Sequence, residues 1–182
     1  MNHEIIQFAA IASRDRKVLG NINIYARPKF PERAESGAMK AHGISLQEMK
    51  DLPKQEASLK KLQKFIYSHK SENEKFILVA YNLDFDKQFL RNWLMANDYY
   101  ALWYTFDFYK EVCVLRLAKI AKALGLLKST KNRLSDICKE LNVKLENAHD
   151  ALVDINATKE VYFKLIDLLT HYNKGQEQIR LF

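Results

Sequence analysis

Cysteine is scarce in this chain: Cys113 and Cys138 are the only two among 182 residues. They form no metal-ligand spacing, so a cysteine-bound zinc module is excluded. One disulfide could be drawn between them. Both sit in apolar helical settings, however, which predicts reduced core thiols in a cytoplasmic protein. Long apolar runs are missing too. None approaches the roughly 20 residues that a membrane-spanning helix needs, and the N-terminus has no signal-peptide pattern. No membrane partner is expected. Internal repeats and low-complexity tracts are also absent. What remains is an ordinary globular composition, 48% hydrophobic and 28% charged, which argues against disorder. The length is that of one domain with a substantial core.

Acidic residues are scarce in one place. Between residues 110 and 133, Lys110, Arg116, Lys119, Lys122, Lys128, Lys131 and Arg133 are opposed by Glu111 alone. The net charge of the whole chain is +7, which points toward a polyanionic partner. The basic run reads equally as a solvated face or as a phosphate-facing ridge. If it contacts a nucleic-acid backbone, binding weakens steeply with salt, because each neutralised phosphate releases counterions.

The apolar pattern predicts strands and helices in alternation. Residues 4–12 and 18–25 read as two strands joined by a turn at Ser13-Arg14-Asp15-Arg16, a hairpin. A proline-marked loop follows from Arg27-Pro28 to Glu35. His42-Gly43 closes a short helical turn, and Ser45 begins another with Glu48 three residues on, a capping-box spacing. Leu59, Leu62, Phe65 and Ile66 mark an amphipathic helix. A buried strand is expected at Phe76-Ile77-Leu78-Val79-Ala80-Tyr81, then a helix striped by Phe89, Leu90, Trp93 and Leu94. A short strand is expected around Leu102 to Phe106. Val112, Leu115, Leu117 and Ile120 then mark a helix, and Leu134, Ile137, Cys138 and Leu141 another. A hairpin followed by strands separated by helices is an α/β pattern with a mixed sheet.

Two carboxylates break the pattern. From Ala151 onward a helix is striped by Ala151, Ile155, Thr158, Tyr162, Leu165 and Leu169, and Asp154 lies on that stripe. Asp86 likewise falls at i−3 to Phe89 and i−4 to Leu90, whereas Asp84 is off the stripe and reads as a helix-start residue. A carboxylate on a core-facing stripe costs several kcal/mol unless a hydrogen bond, a cation or a metal compensates it. His149 stands where the chain enters the second of these helices. Either Asp alone reads as a buried hydrogen bond or ion pair. Both together with His149 point to a divalent-metal site.

The order of motifs resembles the DEDDh group of DnaQ-like 3′-5′ exonucleases. Tyr81-Asn82-Leu83-Asp84-Phe85-Asp86 is similar to their second motif, and His149-Asp150-Ala151-Leu152-Val153-Asp154 to their third. Glu4-Ile5-Ile6-Gln7 resembles the strand after the first motif, and Ala41-His42-Gly43-Ile44 a loop common in the group. The resemblance implies a ribonuclease-H-like mixed sheet flanked by helices. It implies a metal-dependent 3′-5′ exonuclease of the proofreading or repair type, removing nucleotides from single-stranded nucleic acid, with DNA favoured over RNA. Asp86 and Asp154 would be metal ligands, and Mg²⁺ or Mn²⁺ suits such hard oxygen donors. His149 would orient and deprotonate the attacking water. Asn82 and Phe85 would lie near the substrate strand, although Phe85 reads equally as core packing. His42 reads as a structural loop histidine.

One part of the resemblance fails. The family's Asp-x-Glu motif lies on a strand before residues 4–12, and this sequence begins Met1-Asn2-His3. Neither Glu4, in the next strand, nor Asp15, in the hairpin turn, can replace it. The sheet would lack its first, central strand, and its neighbours would be left with unpaired backbone groups. Three readings follow: the protein starts upstream, a partner chain supplies the strand, or catalysis has been lost. With Asp86 and Asp154 alone, metal occupancy is expected to be weak and turnover minimal. The other function class is an inactive exonuclease-like module that holds nucleic acid or a sliding clamp. The chain ends Gln178-Ile179-Arg180-Leu181-Phe182 after a polar spacer, which looks like the peptide by which bacterial replication and repair proteins grip that clamp. Gln178 would be a polar hook, with Leu181 and Phe182 as apolar anchors. Residues 1–172 thus read as the exonuclease-like domain and 173–182 as a C-terminal tail.

Overall fold

Strand β1, Gln7–Arg14, and strand β2, Lys17–Tyr25, form the expected antiparallel hairpin. The computed structural model describes residues 4–146 and 150–174. The first strand starts three residues later than its apolar pattern suggests, because Glu4 is engaged elsewhere. Its carboxylate accepts the backbone N–H groups of Lys29 (2.9 Å) and Phe30 (2.8 Å). The hairpin turn places Asp15 and Arg16 at φ 48° and 66°, a left-handed pair whose twist matches that of the flanking strands.

Short helices α1, Ser36–His42, and α2, Leu46–Asp51, follow. Gly43 ends α1 at φ 71°, a left-handed cap that a side chain would strain. Both halves of the capping box form: Ser45 Oγ accepts from Glu48 N–H (3.2 Å), and Glu48 accepts from Ser45 N–H (2.7 Å). Helix α3, Gln55–His69, buries Leu59, Leu62 and Ile66. Strand β3, Val79–Ala80, leads into helix α4, Leu83–Met95, which buries Leu90, Trp93 and Leu94 as its periodicity requires.

The next stretch corrects two expectations. Tyr100–Trp103 is a helical turn, α5, where a strand was expected. The N–H groups of Leu102 and Thr105 close turns on the carbonyls of Tyr99 and Leu102; the end of the stretch bridges back in parallel, Phe106 to Phe76, with the Thr105 carbonyl accepting from Phe76 N–H and Asp107 N–H donating to the Phe76 carbonyl (2.8 Å each). The strand that does pair with β3, in parallel, is β4, Val112–Cys113, in a stretch whose spacing reads as helix. Helix α6, Val114–Ala123, therefore buries Val114, Ala118 and Ala121 instead, leaving Ile120 50% exposed. Helices α7, Leu134–Glu140, and α8, Ala151–Lys174, complete the described chain.

Two cores flank the strands. One joins Ile24, Leu59, Leu62, Leu90, Leu94 and Leu102; the other joins Val114, Ile137, Cys138, Val161 and Leu165. Phe76 and Leu78 pack on the first, Val79 and Tyr81 on the second. That alternation marks a strand held between two helical layers. Among the described residues the four strands form two separate ladders, β1-β2 and β3-β4. Between them lies a groove of about 1430 Å³, lined by β1, by residues 75–82, and by one side each of α3, α4 and α8.

Candidate active site

Both flagged carboxylates open into this groove. Neither faces the core, which corrects the stripe reading. In α8 the deeply buried positions are Ala157, Thr158, Val161 and Leu165, while Ala151, Asp154, Ile155 and Tyr162 line the groove. The helix presents one side to the core and an adjoining side to the groove, and Asp154 belongs to the second. Asp86 is reached by solvent through the groove mouth. The surrounding walls nevertheless strip away enough water to push its carboxyl up to about 6. No charge contributes to that shift, only desolvation opposed by a backbone N–H.

The local structure explains the placement. Asn82 sits at the N-cap of α4 with an extended-side φ of −116°, and its carbonyl accepts the N–H groups of Phe85 (3.0 Å) and Asp86 (3.3 Å). Its side chain makes no capping bond, so it stays exposed at the groove edge. Phe85 is 54% exposed and lies against Phe89 with ring centroids 4.6 Å apart. Core packing is thereby excluded for Phe85. Asp84 turns away from the groove to pair with Arg116 (2.6 Å).

The start of α8 is organised by a residue that periodicity did not single out. Asp150 Oδ1 accepts the N–H groups of Leu152 (2.8 Å) and Val153 (3.3 Å), the pattern of an N-cap. Its type and its place before an apolar run were the available signal. Gln7 on β1 reaches the same turn, its Oε1 accepting from Ala151 N–H at 3.4 Å. His149 lies outside the described residues, as do Gln178, Leu181 and Phe182. His42 is the last residue of α1 and not a loop residue: its Nδ1 accepts the N–H of Ile44 (3.0 Å), and burial lowers its pKa.

Of the seven basic residues between 110 and 133, Lys110 alone lines the groove. Lys122 instead holds the loop around Lys131 and Asn132. Both cysteines are free and buried, and burial pushes the Cys138 thiol up to about 11, with the Asp154 charge adding to it. No helix among the described residues is long and apolar enough to cross a membrane.

The donor chemistry of Asp86 and Asp154 fits a hard divalent cation. Among the described residues, though, no group of three His, Cys, Asp or Glu side chains could hold one. The carboxylate of Asp86, desolvated without a compensating charge, is what a cation would relieve.

Comparison with known proteins decides the family. A family model described as "Exonuclease", RNase_T, matches residues 1–162. The chain belongs to this exonuclease family. It is 26% identical over 170 residues to a DNA polymerase III PolC-type from Caldanaerobacter subterraneus subsp. tengcongensis, covering 93% of this chain and 11% of that protein. It is 28% identical over 165 residues to a DNA polymerase III subunit epsilon from Buchnera aphidicola, covering 89% of this chain and 63% of that one. The chain thus spans under two thirds of either relative. Among solved structures it is similar to an E. coli ExoI–ssDNA complex in a zinc-bound form (TM-score 0.74, 24% identity, 93% of this chain, 39% of that one). It is also similar to the nuclease domain of 3′hExo, a DEDDh family member bound to rAMP (TM-score 0.65, 12% identity, 100% and 87%). The exonuclease-family fold is the ribonuclease-H-like one, and the family depends on divalent metal ions.

Proposed function

We propose that this chain carries the active site of a 3′-5′ exonuclease acting on single-stranded DNA ends. The observation that supports it is that Asp86 and Asp154, from two different helices, both line one groove, which Phe85 and Lys110 also line. The two carboxylates would hold a divalent ion, Mg²⁺ or Mn²⁺, which supplies Lewis acidity for phosphodiester hydrolysis. Phe85, with an open ring face, stacks against the terminal base or sugar, and Asn82 donates to the same nucleotide. Lys110 offsets phosphate charge at the groove edge. His149 takes the proton of the water that attacks phosphorus. The bond from phosphorus to the 3′ oxygen of the preceding nucleotide breaks, that oxygen takes up a proton from solvent to become the new 3′-OH, and a nucleoside 5′-monophosphate leaves.

DNA is favoured by the polymerase III relatives and the ssDNA-bound neighbour. The same relatives support a replication or repair setting, with residues 1–172 as the nuclease domain. In the tail 173–182, Gln178, Leu181 and Phe182 would dock on a sliding clamp. The second reading is a module that binds nucleic acid or the clamp without cleaving.

With enzyme in excess over 3′-labelled single-stranded DNA and Mn²⁺ present, slow release of labelled mononucleotide is expected. Asp154→Asn and His149→Ala each reduce it to background. Release that persists unchanged in Asp154→Asn, or that begins at the 5′ end, contradicts the proposal.

A further inference from the structure

Six of the seven cations between residues 110 and 133 stand outside the groove, and two of those six are engaged. Arg116 pairs with Asp84 (2.6 Å). The ammonium of Lys122 donates to the Lys131 carbonyl and to Asn132 Oδ1 (2.8 Å). The other four, Lys119, Lys128, Lys131 and Arg133, are exposed, and their side chains meet no carboxylate among the described residues. The acidic groups at hand are turned elsewhere. Glu111 holds Lys87 (2.6 Å). Glu140 directs its two oxygens onto the backbone N–H groups of Lys128 and Ser129, the second at 3.0 Å. Asp136 keeps one oxygen buried.

The loop that carries three of these four cations is also held in one shape. Glu140 fixes its start and Lys122 its middle. At its end the Tyr81 hydroxyl donates to the Asn132 carbonyl (2.9 Å). Within it, Ser129 Oγ accepts from Lys131 N–H (3.2 Å) and closes a turn. Every one of these anchors grips backbone or the Asn132 amide, and none consumes a loop cation. A merely solvated charge run needs no such anchoring, since free lysines keep their rotamer entropy. Like charges fixed near one another raise the local positive potential, which a polyanion relieves. The anchors also set the loop beside the site. Tyr81 and Leu134 both line the groove; the first precedes Asn82 and the second follows Arg133. Lys119 adds its charge from α6, one turn before Lys122 on the same face.

We infer that residues 128–133, together with Lys119, form a lip outside the groove that grips the internucleotide phosphates of a single strand on the 5′ side of its terminal nucleotide. The polarity rests on the reading of the groove as the seat of a 3′ end, because the phosphates that leave the groove are then the ones 5′ to it. Lysine ammoniums meet phosphate as point charges, so the grip is independent of base sequence and weakens with salt. A strand held at the lip stays on the protein when its last nucleotide departs. Longer strands are thereby favoured over short ones.

The test measures binding by fluorescence anisotropy in EDTA, so that no cleavage intervenes, with the full chain and 5′-labelled single-stranded DNA. One strand carries all its phosphates. A second has neutral methylphosphonates at its 3′-terminal linkages, and a third has them at the linkages further 5′. The double variant Lys128→Gln with Lys131→Gln removes two lip charges at exposed positions. Lys61→Gln with Lys64→Gln, on the exposed side of α3, removes the same charge elsewhere. The parent should bind the all-phosphate strand about tenfold or more tighter than the third strand at 0.1 M salt or below, and the lip variant should lose that preference. The lip variant's log-log salt slope should be shallower by about 1.4, two contacts at about 0.7 each. Toward the second strand it should behave as the parent does. A lip variant that keeps the parent's preference, or a control variant that loses it, overturns the inference. So does a lip variant altered only toward the second strand. Failure of the exonuclease reading shows separately: no release of mononucleotide in Mn²⁺, with the phosphate preference intact, removes the reaction and leaves the lip.

Discussion

Asp86 stands out among the carboxylates because its environment works against its charge. Its folded pKa of about 6 lies above the ordinary 3.8, so the folded state binds the proton more tightly than the unfolded chain. The sign is then fixed. Below pH 3.8 both states are protonated and nothing is lost; as pH rises from about 4 to 6 the unfolded chain ionises first and stability falls. A shift of two units corresponds to about 3 kcal/mol at full burial. Solvent contact through the groove mouth screens it to about 1 kcal/mol. Asp86→Asn should thus match the parent in urea denaturation at pH 4 and exceed it at pH 7, both in EDTA. A pH-independent difference would contradict the desolvated carboxylate. Gln55 is the opposite case, a buried polar side chain that is fully used. It accepts from the indole N–H of Trp93 and donates to the carbonyl of Arg27. Gln55→Leu strands both groups inside the first core, a cost of about 1–3 kcal/mol, visible as a lower urea midpoint with an unchanged slope.

Among the elements, the hairpin and the second capped turn show how local chemistry is offset or reinforced by distant contacts. Arg16 occupies a left-handed position that glycine would take without strain. It is retained there by Asp167 of α8, which holds its guanidinium through two N–H donors, one at 2.9 Å, and by the Phe163 ring, 5.0 Å away. Arg16→Gly gives up these contacts but relieves the backbone, so its urea midpoint should stay near the parent's. Arg16→Ala gives up the contacts and keeps the strain, and should fall clearly below it. Equal midpoints for the two variants would show that the turn carries no strain. At α2 the Ser45 hydroxyl and backbone N–H both hold the Glu48 carboxyl below its usual range. That contribution is present above pH 4.5 and is lost as pH falls through the depressed value. Ser45→Ala should cost about 1 kcal/mol at pH 7 and should flatten the acid limb of the stability curve.

For the whole molecule, the sheet between two helical layers was legible wherever a segment was long and periodic. The hairpin, α3, α4, α7 and α8 stand where their apolar spacing places them. β4 was not legible, because two residues of parallel strand carry no period of their own and gain their pairing only from Val79 and Ala80. Leu102 and Trp103 misled for the same reason, a short apolar pair that turn closure made helical. At the site, Asp86 and Asp154 stood out because a carboxylate on an apolar stripe is anomalous, and both line the groove. The stripe was misread as core because the groove wall is itself apolar. Gln55 and Asp150 escaped, the first because its partners Trp93 and Arg27 are remote in sequence.

Mn²⁺ titration by calorimetry at pH 7.5, on the metal-stripped full chain, tests most directly whether the two helices share one cation site. The predicted result is weak binding by the parent, weaker still in Asp86→Asn and in Asp154→Asn, and none in the double variant. Undiminished Mn²⁺ binding by the double variant would contradict it.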